Sequence, residues 1–313
     1  MNEPPQNSAV YQVAQPTLFS VIEPGFGADC ERPLRGLLDR RRLVLHADDF
    51  GLSASVNEAT IAAFESGALS SASLMVPCAS FCLAAAYAVR HPDRDIGIHL
   101  TLTSEWKSYR CGPVTSPDRV PSLVDSDGCF WPDPGVLAER AKLDEVEREL
   151  TSQIERAVSV GIRPTHVDTH MFALFENERL YSAYRSVARR FGIPFLAPNG
   201  SYFAVHETSA DEILVDTVLT ARPQILPTQW ASAYIRSLET LRPGVTQIIV
   251  HVGFDNPELQ SITGENPRWG SAWRQRDFDL ITSREFREAL ANNRIELVQW
   301  RDLVGGFQSP NQE

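Results

Sequence analysis

The sequence predicts an α/β protein, a deformed (β/α) barrel of TIM-like type in a single domain. Three observations carry that expectation. From Arg42 onward, short apolar runs alternate with amphipathic segments, the pattern of a parallel sheet with crossover helices. Polar residues able to do chemistry fall where the apolar runs end, which is where such barrels keep their active sites. No internal repeat or compositional break divides the chain after residue 42.

The elements follow in order. Residues 1–41 are rich in Pro, Gln and Ser and read as a flexible N-terminal extension, in which Leu18–Ile22 has the apolar character to pack on the body. The barrel is expected over 42–305 and a tail over 306–313. Strands are predicted at Leu43–Ala47, Ala72–Val76, Ile96–Leu102, Arg163–Thr169, Val245–Val252 and Ile295–Gln299. Helices are predicted at Val56–Ser66, Phe81–Arg90, Leu137–Val160, Glu178–Phe191 and Ser283–Asn292. In the long one, Leu143, Val146, Leu150, Ile154 and Val158 recur at helical spacing and read as core. Between Ser104 and Pro134 lies an irregular stretch carrying Trp106, Tyr109 and Trp131, and a loop that long in a compact domain is usually functional.

Bulk composition narrows the function. The 313 residues carry a net charge of -11 and a pI of about 5.2, which argues against a nucleic-acid partner. Five irregularly spaced cysteines make no disulfide framework and no zinc cluster. Neither a signal peptide nor a run of about 20 apolar residues is evident, so the expectation is a cytoplasmic protein without a membrane span.

The chemistry gathers at strand ends. LVLHADDFG runs an apolar strand into Asp48–Asp49, and adjacent carboxylates repel unless something cationic sits between them. GIHLTL presents His99, PTHVDTH presents His166, Asp168 and His170, and IIVHVGF presents His251. His46 reads as core or as support for the site. A single strand histidine is usually just hydrogen-bonded, and a lone Asp–Asp is usually a turn or a helix cap. A carboxylate pair and four strand-end histidines on one rim are harder to explain as accidents. His166, Asp168 and His170 alternate, so an extended strand puts them on one face. Imidazole and carboxylate donors together suit Zn, Fe, Ni or Co, and Mn or Mg with waters completing the shell. One aspartate can ligate the cation while the other takes a proton from water.

Taken in order, ADDFGLSASVNEA, GALSSASLMV, GIHLTL, PTHVDTH, IIVHVGF and RQRDFDLITS resemble the YdjC-like (ChbG-like) carbohydrate deacetylases, distant relatives of the NodB-type polysaccharide deacetylases. The resemblance covers Leu43 to Leu303. It implies hydrolysis of the N-acetyl group of an amino sugar or chitooligosaccharide with one divalent metal ion, Mg or Zn foremost, with Mn, Co or Ni as other candidates. It implies Asp49, His99 and His170 as metal ligands, with His166 in reserve. Asp48 would be the general base and His251, protonated, the acid for the leaving amine. Arg276 would orient Asp48 or a substrate oxygen, and Asp168 would support the site. Trp106, Tyr109 and Trp131 are candidates to stack on sugar rings. An oligomer, in the simplest case a homodimer, is also implied. The chain departs from the family at Val252, where a proline is common, at Thr169, and at Met171–Phe172, where further histidines are common. The rival readings are the same chemistry on another amide such as a lipid-linked glucosamine, a non-haem iron oxygenase, or a non-catalytic sugar-binding barrel.

Overall fold

A computed structural model of the protein describes residues 19–22, 40–197, 212–264, 266 and 268–303. Its strands are β1 (Phe19–Ile22), β2 (Arg41–Phe50), β3 (Ser71–Leu74), β4 (Ile96–Leu100), β5 (Val167–Thr169), β6 (Phe195–Ala197), β7 (Glu212–Leu214), β8 (Thr217–Ala221), β9 (Gly244–Val250) and β10 (Ile295–Leu297). They form one sheet in the order β1-β8-β9-β2-β3-β4-β5-β6-β7, with β10 also on β2. Every ladder is parallel except β1 on β8. Among the described residues no ladder joins β7 to β1, so the sheet curls into an incomplete barrel. This is the deformed TIM-like architecture expected from the sequence.

β2 is the axis of the fold. Leu43, Val44, Leu45 and Ala47 have no exposed surface, because a parallel strand covered on both faces needs apolar residues at odd and even positions alike. It pairs with β9 from Arg41 to Ala47, then leads into the Ala54–Glu65 helix. Ser53 caps that helix by accepting from Val56 N at 3.2 Å. Gly51 makes the turn at φ 101°, its N–H donating to Asn57 Oδ1 at 2.7 Å. A Cβ there would be strained and would sit 3.2 Å from Met75 O.

Several boundaries differ from expectation. The long helix predicted over Leu137–Val160 is two, Pro134–Arg140 and Leu143–Ser159, separated by extended backbone at Ala141 and Lys142. Val146, Leu150 and Ile154 are buried, but Val158 is 49% exposed. A strict spacing of four drifts around a helix of 3.6 residues per turn, and Ala157 takes the inward position instead. Strands β6, β7 and β8 and the helices Trp230–Glu239, Pro257–Thr263 and Ser271–Thr282 had no counterpart in the sequence reading. The strands, at three to five residues, are too short for a period to show. Within the expected extension, β1 pairs with β8; the rest of 1–39 and the tail 306–313 lie outside the described residues, as does His206. No described helix is long and apolar enough to cross a membrane.

Candidate metal-binding active site

A regular strand turns successive side chains to opposite faces, so Asp48 and Asp49 should point apart. They do not. The pairing of β2 with β3 slips between Ala47 and Phe50, and Asp49 takes a left-handed φ of 66°. This is a bulge, in a conformation that Asp and Asn tolerate best among non-glycine residues. Asp48 Oδ2 and Asp49 Oδ1 consequently both approach His99 Nε2, at 3.8 and 3.6 Å.

His99 on β4 and Asp168 on β5 are register partners. His99 Nδ1 lies 2.7 Å from Asp168 Oδ1, which leaves Nε2 turned toward the two aspartates. His170 directly follows β5. Met171 and Phe172, both left-handed with φ of 53° and 54°, turn the chain there. His170 Nδ1 comes to 3.3 Å from Asp49 Oδ1 and 3.3 Å from His99 Nε2, and its Nε2–H donates to Glu105 Oε2 at 3.0 Å.

Asp49 Oδ1, His99 Nε2 and His170 Nδ1 thus stand 3.3–3.6 Å apart. Two donors each about 2.1 Å from one cation lie about 3.0–3.4 Å from each other, so the three atoms fit one side of a single ion. Asp49 Oδ1 is buried without a hydrogen-bond partner, as is Asp48 Oδ1. The mixed N/O donor set and these unsatisfied oxygens both suit a divalent metal.

Charge at the site supports this fit. Arg274, itself buried, donates from Nη2 to Asp49 Oδ2 at 2.6 Å and from Nε to Trp269 O at 2.7 Å. Burial works against the Asp49 charge, but Arg274 and His170 outweigh it and hold the carboxyl well below its usual range. Fully buried His46 lies 2.9 Å from Asp168 Oδ2 and 3.3 Å from Asp48 Oδ1. Burial opposes its protonation, yet the bonds and charges of Asp168 and Asp48 raise its pKa from 6.5 to about 9. Against the same opposition, the surrounding carboxylates raise His99 and His170 as well. A negative field of that kind is what a divalent cation neutralises.

His251 follows β9, with Nε2 3.8 Å from Asp48 Oδ2 and its backbone N–H donating to Asp277 Oδ2 at 2.9 Å. Burial, helped by Arg274 and His99 and opposed by Asp49 and Asp48, lowers its pKa to about 4. Asp277 accepts from Trp230 Nε1 and Tyr234 Oη at 2.9 and 3.0 Å, and burial lifts its pKa to about 6 despite these donors.

Three sets of expected residues have other neighbours. Arg276 does not reach the aspartates; its guanidinium lies over the Trp230 ring, 5.1 Å from the centroid. On a helix, residues two apart point about 200° away from each other, so only Arg274 faces the site. His166 and Asp168 share a face but not a depth with His170: each two-residue step along a strand is about 6.6 Å. His166 lies deeper, Nδ1 3.4 Å from Asp95 Oδ1, its ring stacked on Trp300 at 4.6 Å. The loop aromatics serve as anchors. Trp106 is buried, Tyr109 Oη donates to Leu52 O at 2.6 Å and accepts from Ala79 N at 3.0 Å, and Trp131 Nε1 donates to Ser122 O at 3.0 Å. Glu105, Arg274 and Asp277 were missed. Arg274 lay in the quoted late motif, two residues from the one chosen. Glu105, in an irregular loop, gave no periodic signal.

Fold and site together define a (β/α)-barrel protein with a buried carboxylate–histidine centre suited to a divalent cation. The profile described as YdjC-like protein matches residues 42–292, and the chain belongs to that family. It is 30% identical over 274 residues to a protein named carbohydrate deacetylase from Thermus thermophilus, covering 85% of this chain and 95% of that one. A carbohydrate deacetylase from Enterococcus faecalis is 27% identical over 276 residues, 85% of this chain and all of the other. A solved structure from Enterococcus faecalis V583, provisionally named a cellobiose-phosphate cleavage protein, matches with a TM-score of 0.69 at 26% identity, covering 84% of this chain and 99% of that one.

Proposed function

We propose that this protein is a divalent-metal-dependent carbohydrate N-deacetylase that hydrolyses the acetamide of an N-acetyl amino sugar, of the chitooligosaccharide type, to acetate and a free amine. One observation carries the reading: Asp49 Oδ1, His99 Nε2 and His170 Nδ1 converge within 3.6 Å, with Asp48 Oδ2 beside them. The names of the related proteins support the same chemistry. A cytoplasmic setting accords with the free thiols of Cys78, Cys82, Cys111 and Cys129.

Asp49, His99 and His170 would hold the ion, Mg or Zn foremost; when bound, it supplies Lewis acidity toward the amide carbonyl and a water of lowered pKa. The rest is done by side chains. Arg274 keeps Asp49 ionised and occupies Oδ2, so that Oδ1 is the ligating atom. Asp48 is the base. His46 Nε2 lies 3.3 Å from its Oδ1, and Oδ2 faces the space between His99 and His251, where it takes a proton from the attacking water. His251 begins neutral, so it must gain a proton before it can give one to the leaving nitrogen. Asp48 Oδ2, 3.8 Å from Nε2, is the adjacent source. Protonating the nitrogen spares the reaction an amide anion as leaving group.

The test is acetate release from N,N'-diacetylchitobiose and a panel of N-acetyl sugars, using metal-stripped protein refilled with single divalent ions. Metal-dependent acetate that vanishes in Asp48→Ala is the expected result. No acetate with any ion, from protein shown to bind one, would overturn the reading.

A further inference from the structure

Two histidines of the site are oriented in opposite senses, and each orientation is set by a carboxylate. His99 gives its Nδ1 side to Asp168 and turns Nε2 inward. His170 does the reverse: Nε2 goes to Glu105 Oε2 at 3.0 Å, and Nδ1 turns toward Asp49 and His99. Asp168 comes from a strand, in register with the histidine it holds. Glu105 comes from the aromatic-rich stretch after β4, so nothing in the sheet fixes its position.

That stretch is nonetheless pinned on both sides of Glu105. Ser104 N donates to Trp131 O at 3.0 Å, and Ser104 Oγ accepts from Cys111 N at 2.9 Å. Trp106 is buried, and Tyr109 is tied to Leu52 and Ala79. Its neighbours are fixed in the body while its own carboxylate reaches the rim, with a side chain 23% exposed. His170, by contrast, sits at the start of a turn with two left-handed residues after it. Its ring needs an external partner to hold one tautomer and one orientation.

We propose that Glu105 is a positioning residue for the metal centre: it fixes the His170 ring with Nδ1 facing the cation and strengthens it as a donor. This rests on the metal-dependent reading above. A histidine ligand almost always gives its other ring nitrogen to a partner of this kind, and loss of that partner typically costs about 10- to 100-fold in metal affinity. Glu105 also links the centre to the loop after β4.

The test is metal binding, read without turnover. Zn(II) affinity is measured by chelator competition on metal-stripped full-length protein, for wild type, Glu105→Ala, Glu105→Gln and His170→Ala, with melting temperatures of the metal-free forms as a folding check. The visible spectrum of the Co(II) form is recorded for each. Glu105→Ala should bind Zn(II) about 10- to 100-fold more weakly and shift the Co(II) bands, with little change in metal-free melting temperature. Glu105→Gln, whose amide oxygen can still accept from Nε2, should recover much of the loss. His170→Ala should be weaker than either. If wild type binds one ion and His170→Ala abolishes it, but Glu105→Ala matches wild type in affinity and spectrum, the positioning role falls and the metal reading stands. If wild type binds no ion, both fall.

Discussion

Two layers of the barrel hold the same residue types and do different things with them. At the inner layer, His166 meets Asp95, in the turn entering β4. At the rim, His99 meets Asp168 and His170 meets Glu105. The carboxylate of the inner pair is saturated, although His166 Nε2 is buried without a hydrogen-bond partner. Asp95 Oδ1 accepts from Ser71 and Thr165 at 3.1 and 2.8 Å, and Oδ2 from Arg301 N at 3.0 Å. Burial works against the Asp95 charge, but His166, Arg301 and Thr165 keep its pKa low. Trp300 covers one face of the His166 ring, and Gly97 leaves room for it, since a Cβ would lie 2.6 Å from His166 Nε2. At the rim, the pairs turn their free nitrogens toward one another and toward buried oxygens that lack partners. A histidine–carboxylate pair is therefore not itself a sign of a site. Convergence of unsatisfied donor atoms is.

If that contrast is right, rim and inner substitutions should separate activity from stability. The largest expected effect is on Asp48→Ala: a loss of about 10²- to 10⁴-fold in turnover, with the melting temperature held or raised by removal of a buried charge. A comparable loss of stability would mean that Asp48 is structural. Trp300→Ala should do the opposite. It removes a ring with no exposed surface and the bond from Nε1 to Gln247 Oε1 at 3.1 Å, costing about 3–5 kcal/mol by denaturant titration, while turnover per folded molecule stays near wild type.

A smaller effect concerns pH. Asp277 rises from 3.8 to about 6 in the folded state, so the folded protein binds the extra proton between those values. Its contribution to stability is fully present below about pH 4 and is lost as pH rises through 6. Wild type minus Asp277→Asn, compared by denaturation from pH 4 to 7, should fall across that window; a flat difference would contradict a raised pKa. The smallest effect is Gly51→Ala, about 1 kcal/mol or somewhat more for forcing a Cβ into φ 101°, seen as a lower denaturation midpoint.

Legibility in the sequence followed the range of the signal. β2, β4 and β9 announced themselves because their apolar runs end abruptly in polar residues, and Asp48, Asp49, His99 and His251 stand at those ends, with His170 at the end of β5. The bulge that makes adjacent aspartates converge was invisible, since it depends on how β2 pairs with β3. Depth was invisible too: alternation puts His166 and His170 on one face but says nothing of which layer an ion would occupy. Arg274 and Arg276 differ only in helical phase, and that phase is set by packing of Trp230 and Trp273. Glu105 acts across 65 residues of sequence from a loop without periodicity.

The rim layer is expected to bind a cation and the inner layer not, although His46, His166 and Asp168 also bring potential donor atoms within 4.8 Å of one another. Anomalous diffraction from crystals of the full-length protein, soaked in Zn(II) or Mn(II), tests it most directly. A single strong peak is expected about 2.1 Å from Asp49 Oδ1, His99 Nε2 and His170 Nδ1. A peak at the His46–His166–Asp168 group, or none at the rim, would contradict it.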